Sequence, residues 1–177
     1  AAVRFRRADG RIQVILIEWK YTEVYSETSL IYAPSGKDRR QIYCHLWERG
    51  DCPLDRERIP CFDALFYEPF YQLMRQQLLA HEMEREHELD ADIVSTLHIA
   101  PAANIAVERV TSPALRALGD SVSAVWARVV RPPDRFQSAT TEALFGAFQP
   151  EPGWELDSWR SYIEARYGGA LGLAQGS

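Results

Sequence analysis

Alternating apolar and polar positions at the start of the chain predict a β-hairpin. Residues 1–7 alternate, Ala8-Asp9-Gly10 carries a strong turn signal, and residues 11–20 (RIQVILIEWK) form the most strand-like stretch of the sequence. The middle of this stretch is apolar on both faces, which is typical of a central strand covered above and below. The pattern therefore predicts a hairpin that leads into a central strand.

Apolar positions at helical spacing are frequent beyond this hairpin, with one further strand among them. A strand, a helical crossover and a second strand favour a parallel pairing reached by a right-handed connection. The predicted class is α/β or α+β, with a mixed sheet. Helices are predicted over 37–48, 69–87, 111–119, 139–148 and 155–167, and a strand over 92–99, whereas residues 121–131 fit a helix and a strand equally well.

Composition adds few constraints. The 177 residues are 46% hydrophobic and 25% charged, which is typical of one globular domain, and no apolar run approaches the length of a membrane span. Three cysteines, Cys44, Cys52 and Cys61, fit neither a disulfide framework nor a zinc site, so we expect reduced thiols in a cytoplasmic protein. His98, inside the second predicted strand, is expected to be a packed histidine.

Charge is unevenly distributed along the chain. The net charge of −5 argues against a general nucleic-acid binder, but residues 1–50 carry nine basic against six acidic side chains. Several arginines surround the hairpin turn, among them Arg4, Arg6 and Arg11. This region is either a basic face that binds along a phosphate backbone or a solvated hairpin.

The segment Glu18-Trp19-Lys20 contains the main candidate for chemistry. Because side chains alternate along a strand, Glu18 and Lys20 point to one face and extend an otherwise apolar line. A carboxylate and an ammonium there are costly unless they are paired or functional. From the residues alone, a simple ion pair at the end of the sheet and a functional pair both stay open.

The wider text, VILIEWKYTE followed by FYQLMRQQLLA, resembles the PD-(D/E)XK nuclease superfamily, and in particular a bacterial restriction endonuclease-like family. The resemblance covers roughly residues 1–100 and is strongest at 12–23 and 69–80. It implies a four-stranded mixed sheet flanked by helices, with a nuclease-like core over 1–100 and a helical extension of the same domain over 101–177. It also implies Mg²⁺- or Mn²⁺-dependent hydrolysis of DNA phosphodiester bonds.

Specific roles follow from this resemblance. Glu18 would be a metal ligand, the backbone carbonyl of Trp19 a second possible one, and Lys20 would position the attacking water or stabilise the transition state. Such a site suits phosphodiester hydrolysis, which needs a hard cation and a positive charge near the developing oxyanion. Further candidates for contact with the metal or the nucleic acid are Glu23, Gln72, Arg75 and Gln76, for which a solvated surface is the alternative.

The chain departs from the superfamily pattern in one respect. The pattern requires an acid in the strand before Glu18, and residues 1–8 contain none. In a hairpin that turns at 8–10, Glu18 lies opposite Ala1 or the position before it, so we expect the acid at or upstream of Ala1. Two alternatives therefore stay open: an inactive nuclease-fold module that binds DNA or a protein partner, and an ordinary domain with an ion pair. Residues 101–177 suggest a helical cover or a homodimer surface, and no membrane contact is expected.

Overall fold

The computed structural model describes residues 1–147 together with Ser158, Ser161, Tyr162 and Ala165. The helix predicted over 155–167 therefore lies largely outside the described residues. Within the described part, no helix is both long and apolar enough to span a lipid bilayer.

A four-stranded mixed sheet forms the centre of the described fold. The strands are β1 (Ala2–Arg6), β2 (Ile12–Trp19), β3 (Ile93–Ala100) and β4 (Phe136–Thr140). They lie in chain order, with β1 antiparallel to β2, and with β2, β3 and β4 mutually parallel. The predicted hairpin, the central strand and the parallel crossover pairing are thus confirmed.

Helices flank this sheet and lie close to the predicted positions. The α-helices are α1 (Arg40–Trp47), α2 (Phe70–Arg85), α3 (Val122–Val129) and α4 (Thr141–Ala147). The crossover between β2 and β3 contains α1 and α2, and the segment after β3 contains α3 and α4. Short 3₁₀ helices cover Phe62–Leu65, Glu88–Asp90, Pro113–Leu118 and Pro133–Arg135.

Strand β4 corrects the sequence analysis, which predicted a helix over 139–148. The structure has a strand through Thr140 and begins the helix at Thr141. Only Phe136 of this strand is buried, so the apolar alternation that identifies a strand is missing. The strand forms because its backbone pairs with β3, which is a contact distant in sequence. Residues after 100 thus add a strand to the sheet as well as helices.

The undecided segment 121–131 contains helix α3. Its first turn is capped by Ser121, whose side chain accepts a hydrogen bond from the amide of Ala124 at 3.1 Å. The buried side chains of α3 recur at helical spacing, with Val122, Val125, Trp126 and Val129 facing the core. Trp126, which is fully buried, lies 6.3 Å from the ring of Phe70 and so joins α3 to α2.

Helix α2 is held on the sheet by two kinds of contact. Ala80 and Met83 pack against Val14 and Leu16 of β2 in one apolar cluster. Nearer the middle of the helix, the buried side chain of Gln77 accepts a hydrogen bond of 3.0 Å from the hydroxyl of Thr96 on β3. These contacts cover one side of α2, and Gln72 in its first turn contacts Lys20, the residue that follows β2.

Candidate active site at the carboxyl ends of the parallel strands

The candidate site lies at the edge where the three parallel strands end. In the strand register, Glu18 of β2 pairs with His98 of β3, which pairs in turn with Ser138 of β4. The hairpin register pairs Ala2 with Leu16, so the position opposite Glu18 falls one residue before Ala1. Ligands commonly bind at the carboxyl ends of strands in open sheets of this kind.

Lys20 is at the centre of the polar contacts in this region. Its side chain is only 6% exposed, and its ammonium lies 2.7 Å from Oε1 of Glu18. The same Nζ donates a hydrogen bond to Oε1 of Gln72 on α2 and lies 4.0 Å from Oε1 of Glu23. Burial disfavours the charged amine, but the hydrogen bond with Glu18 and the nearby Tyr25 more than offset burial and raise the pKa of Lys20. Lys20 is therefore a fixed positive charge.

Glu18 connects this ion pair to an open space. Its side chain is 33% exposed and lines a cavity of about 490 Å³. The helix side chains that the sequence analysis singled out line the same cavity, together with Tyr43 and Leu79. The structure therefore brings together Glu18, Gln72, Arg75 and Gln76, four of the candidate site residues.

Besides Lys20, the remaining candidates are Trp19 and Glu23, and neither of them lines the cavity. Trp19 points to the opposite face of the sheet, where its ring is 5.9 Å from that of Phe145. Glu23 follows β2 and accepts a hydrogen bond of 2.7 Å from the amide of Tyr21. Partial burial acts to raise the pKa of Glu23, but backbone hydrogen bonds and the charge of Lys20 lower it below its usual value. Glu23 is thus an anion beside Lys20.

Glu68, which lies in the turn before α2, is a site residue that was not predicted from the sequence. Burial raises the pKa of this carboxyl, against the opposing effects of Lys20, Gln72 and Arg75. Its Oε2 atom is buried and has no hydrogen-bond partner among the described residues. No periodicity or motif marks Glu68 in the sequence, because its place beside Lys20 depends on how α2 packs on the sheet.

His98 is packed as expected, being 1% exposed, but it has polar neighbours. Its Nδ1 atom lies 3.6 Å from Oε1 of Glu108. Burial lowers the pKa of His98 below its usual value, and the opposing charge of Glu108 does not compensate. The imidazole is therefore neutral at pH 7.

The donor atoms fit Mg²⁺ in type, though few of them converge. Among the described residues, no group of three or more His, Cys, Asp or Glu side chains is placed to hold a metal ion. However, Mg²⁺ is commonly bound through one or two carboxylates, with water and phosphate oxygens as the other ligands. The partly exposed carboxylate of Glu18, facing a cavity, is compatible with that mode of binding.

A mixed sheet of four strands with flanking helices, and a Glu-x-Lys pair at its carboxyl edge, define a nuclease-like α+β protein. The restriction endonuclease-associated family described as "Restriction Endonuclease associating with ARP" matches residues 3–168, and the chain belongs to this family. Neither the curated proteins nor the solved structures contain a match to the chain. The family supports the nuclease-like character that the sequence motif indicated.

Proposed function

We propose that the protein is a metal-dependent nuclease that hydrolyses DNA phosphodiester bonds, with Glu18 as a metal ligand and Lys20 as the residue that positions water or stabilises the transition state. The observation that carries the proposal is the buried ammonium of Lys20, held 2.7 Å from Glu18 beside an open cavity. The family description adds support, since it names a restriction endonuclease.

The chemistry assigned to the chain is electrostatic. A bound Mg²⁺ or Mn²⁺ would polarise the phosphate and lower the pKa of water. Lys20 stays protonated, and Gln72 fixes the direction of its ammonium by accepting a hydrogen bond. A preorganised charge of this kind, aimed at developing negative charge on the phosphate, is worth about 100- to 1,000-fold in rate.

One observation favours a second candidate function, a nuclease-fold module without catalysis. The described residues bring together no group of three metal-ligating side chains, and a module that only binds does not need such a group. The family description also names an association with ARP, which suggests a protein partner for this chain in addition to DNA. In this alternative, the same cavity binds nucleic acid or a partner but does not cut.

The two functions are separated by a cleavage assay with Mn²⁺ on plasmid and single-stranded DNA. The Lys20→Met variant removes the ammonium and keeps much of the apolar volume, and Glu18→Gln removes only the charge. The matched control is Lys37→Met, because Lys37 is the other lysine of the chain and is exposed. We expect cleavage to fall at least about 100-fold in the two site variants and to be unchanged in the control.

Two outcomes would contradict the proposal. Cleavage by wild type that persists in both site variants would place catalysis elsewhere. Absence of cleavage together with absence of Mn²⁺ binding by calorimetry would support the binding module instead.

A further inference from the structure

Two arginines make no ion pair among the described residues: Arg75, which lines the cavity, and Arg39, which contacts the same tyrosine as Arg75. The guanidinium groups of Arg39 and Arg75 each lie 5.5 Å from the ring centroid of Tyr71. In the described part of the chain, no carboxylate oxygen lies within ion-pair distance of either group. By contrast, the adjacent Arg40 contacts Asp38 at 2.7 Å and Asp63 at 3.1 Å. The charges of Arg39 and Arg75 are therefore available to an anion from outside.

Both guanidinium groups contact the ring of Tyr71. Tyr71 is nearly buried, and its ring stacks on that of Phe66 at 5.5 Å, so the aromatic surface beneath the arginines is rigid. Arg39 also donates a hydrogen bond of 2.8 Å to the carbonyl of Leu30. A guanidinium that is fixed over a ring keeps its planar set of donors free at the edge, which suits bidentate binding of phosphate.

The cavity brings one of these two charges, that of Arg75, together with the candidate metal ligand Glu18. Arg75 and Glu18 both line it, together with Tyr43 of α1. The ring of Tyr43 lies 6.0 Å from that of Tyr71, at an angle of 78°. A volume of about 490 Å³ is in the range of small-ligand pockets and is far below that of a duplex segment. It suits a nucleotide of a single strand, whose base is free to stack on an aromatic ring.

We infer that Arg39, Arg75 and Tyr43 form a subsite for single-stranded nucleic acid, in which the two arginines bind backbone phosphate and Tyr43 stacks on a base. The inference rests on the proposed function, because it takes Glu18 and Lys20 as the place where the bound strand is cut. It adds that a single strand, or the frayed end of a duplex, is the form that enters the cavity.

Binding can be tested without cleavage, by fluorescence anisotropy of a labelled oligothymidylate in the presence of EDTA and over a range of salt concentrations. Each phosphate contact on a single strand contributes about 0.7 to the slope of log K against log salt. We expect the double variant Arg39→Gln/Arg75→Gln to reduce the magnitude of that slope by about 1.4. Tyr43→Leu should weaken binding about 5- to 150-fold at constant slope.

The control variant is Arg56→Gln, which removes an exposed arginine whose contact is with the carbonyl of Glu48, away from the cavity. It should leave both affinity and slope unchanged. Far-UV circular dichroism and thermal unfolding check that Arg39→Gln folds. Arg75 is exposed, so Arg75→Gln alone should leave the fold intact and still reduce the magnitude of the slope by about 0.7. An unchanged slope in the double variant, or tighter binding of duplex than of single strand, would overturn the inference.

The two proposals fail in different ways. If the wild type binds the oligonucleotide but does not cut it, the proposed hydrolysis is wrong and the proposed subsite still stands. If the wild type cuts, and the double variant binds with the same affinity and the same salt slope as the wild type, the proposed subsite is wrong and the proposed hydrolysis still stands.

Discussion

The buried hydrogen bond between α2 and the sheet gives a sharp test of how the site is held together. Gln77 is 1% exposed and Thr96 is 2% exposed, and the hydroxyl of Thr96 donates to Oε1 of Gln77 at 3.0 Å. Helix α2 also carries Gln72, which contacts Lys20. The substitution Thr96→Val removes the hydroxyl, keeps the shape of the side chain and leaves the Gln77 oxygen unpaired in the core.

The expected magnitudes are asymmetric. A buried acceptor without its donor costs about 1–3 kcal/mol, so Thr96→Val should lower the free energy of unfolding by that amount. The substitution of the other partner, Gln77→Leu, should lower the free energy of unfolding by less than about 1 kcal/mol. The Thr96 hydroxyl also lies 3.3 Å from the carbonyl oxygen of Arg135 and can donate its hydrogen bond there. The double variant should then resemble Gln77→Leu alone, which gives an interaction energy equal in magnitude to the cost of Thr96→Val, about 1–3 kcal/mol.

Urea unfolding, followed by tryptophan fluorescence and far-UV circular dichroism, measures all four proteins of this cycle. An unchanged dependence on urea concentration would show that the surface exposed on unfolding is the same in each. Additive effects of the two substitutions, or no effect of Thr96→Val, would refute the reasoning that this hydrogen bond holds α2 on the sheet.

Three further predictions concern stability. Burial lowers the pKa of His98, so below about pH 6.5 the unfolded chain binds a proton that the folded protein does not. The free energy of unfolding should therefore fall below that pH, with a slope of up to about 1.4 kcal/mol per pH unit. In His98→Asn, the free energy of unfolding should depend less steeply on pH in the same range. Asp55→Ala should cost about 1.5–3 kcal/mol in urea unfolding, because the buried carboxylate accepts hydrogen bonds from Arg131 and from the amide of Glu57; a cost near zero would contradict this. Ser121→Ala should cost about 1 kcal/mol through loss of the α3 cap, whereas Ser121→Asp should retain most of it.

Local patterns in the sequence were sufficient for part of this architecture. The Asp-Gly turn and the alternation that follows it predict the hairpin, with Glu18 opposite Ala1 or the position before it. The structure shows the second of these two registers. The period of two also predicts that Glu18 and Lys20 share a face, and their 2.7 Å contact agrees. These features depend on residues close together in the chain.

Among the contacts between distant residues, the parallel pairing of β2 with β3 was predicted, but two other features were not. Strand β4 has little apolar alternation and exists through pairing with β3. Glu68 and Tyr43 come to the site only because the crossover packs α1 and α2 beside the end of β2. The alternation of apolar and polar residues indicates which face of a helix or strand is buried, but it does not indicate which other element packs against that face.

The parallel pairing of β2 with β3 also determines at which stage of folding the residues of the candidate site come together. Residues 13–19 pair with residues 93–99, so about eighty residues separate each partner from the other. Closing so long a loop costs entropy before the pairing returns any free energy, and folds with such distant contacts form slowly. Since Gln72 lies inside that loop and Lys20 at its edge, a nascent or partly unfolded chain has the residues of the site without their arrangement. Any cutting activity is thereby withheld until the whole crossover has closed.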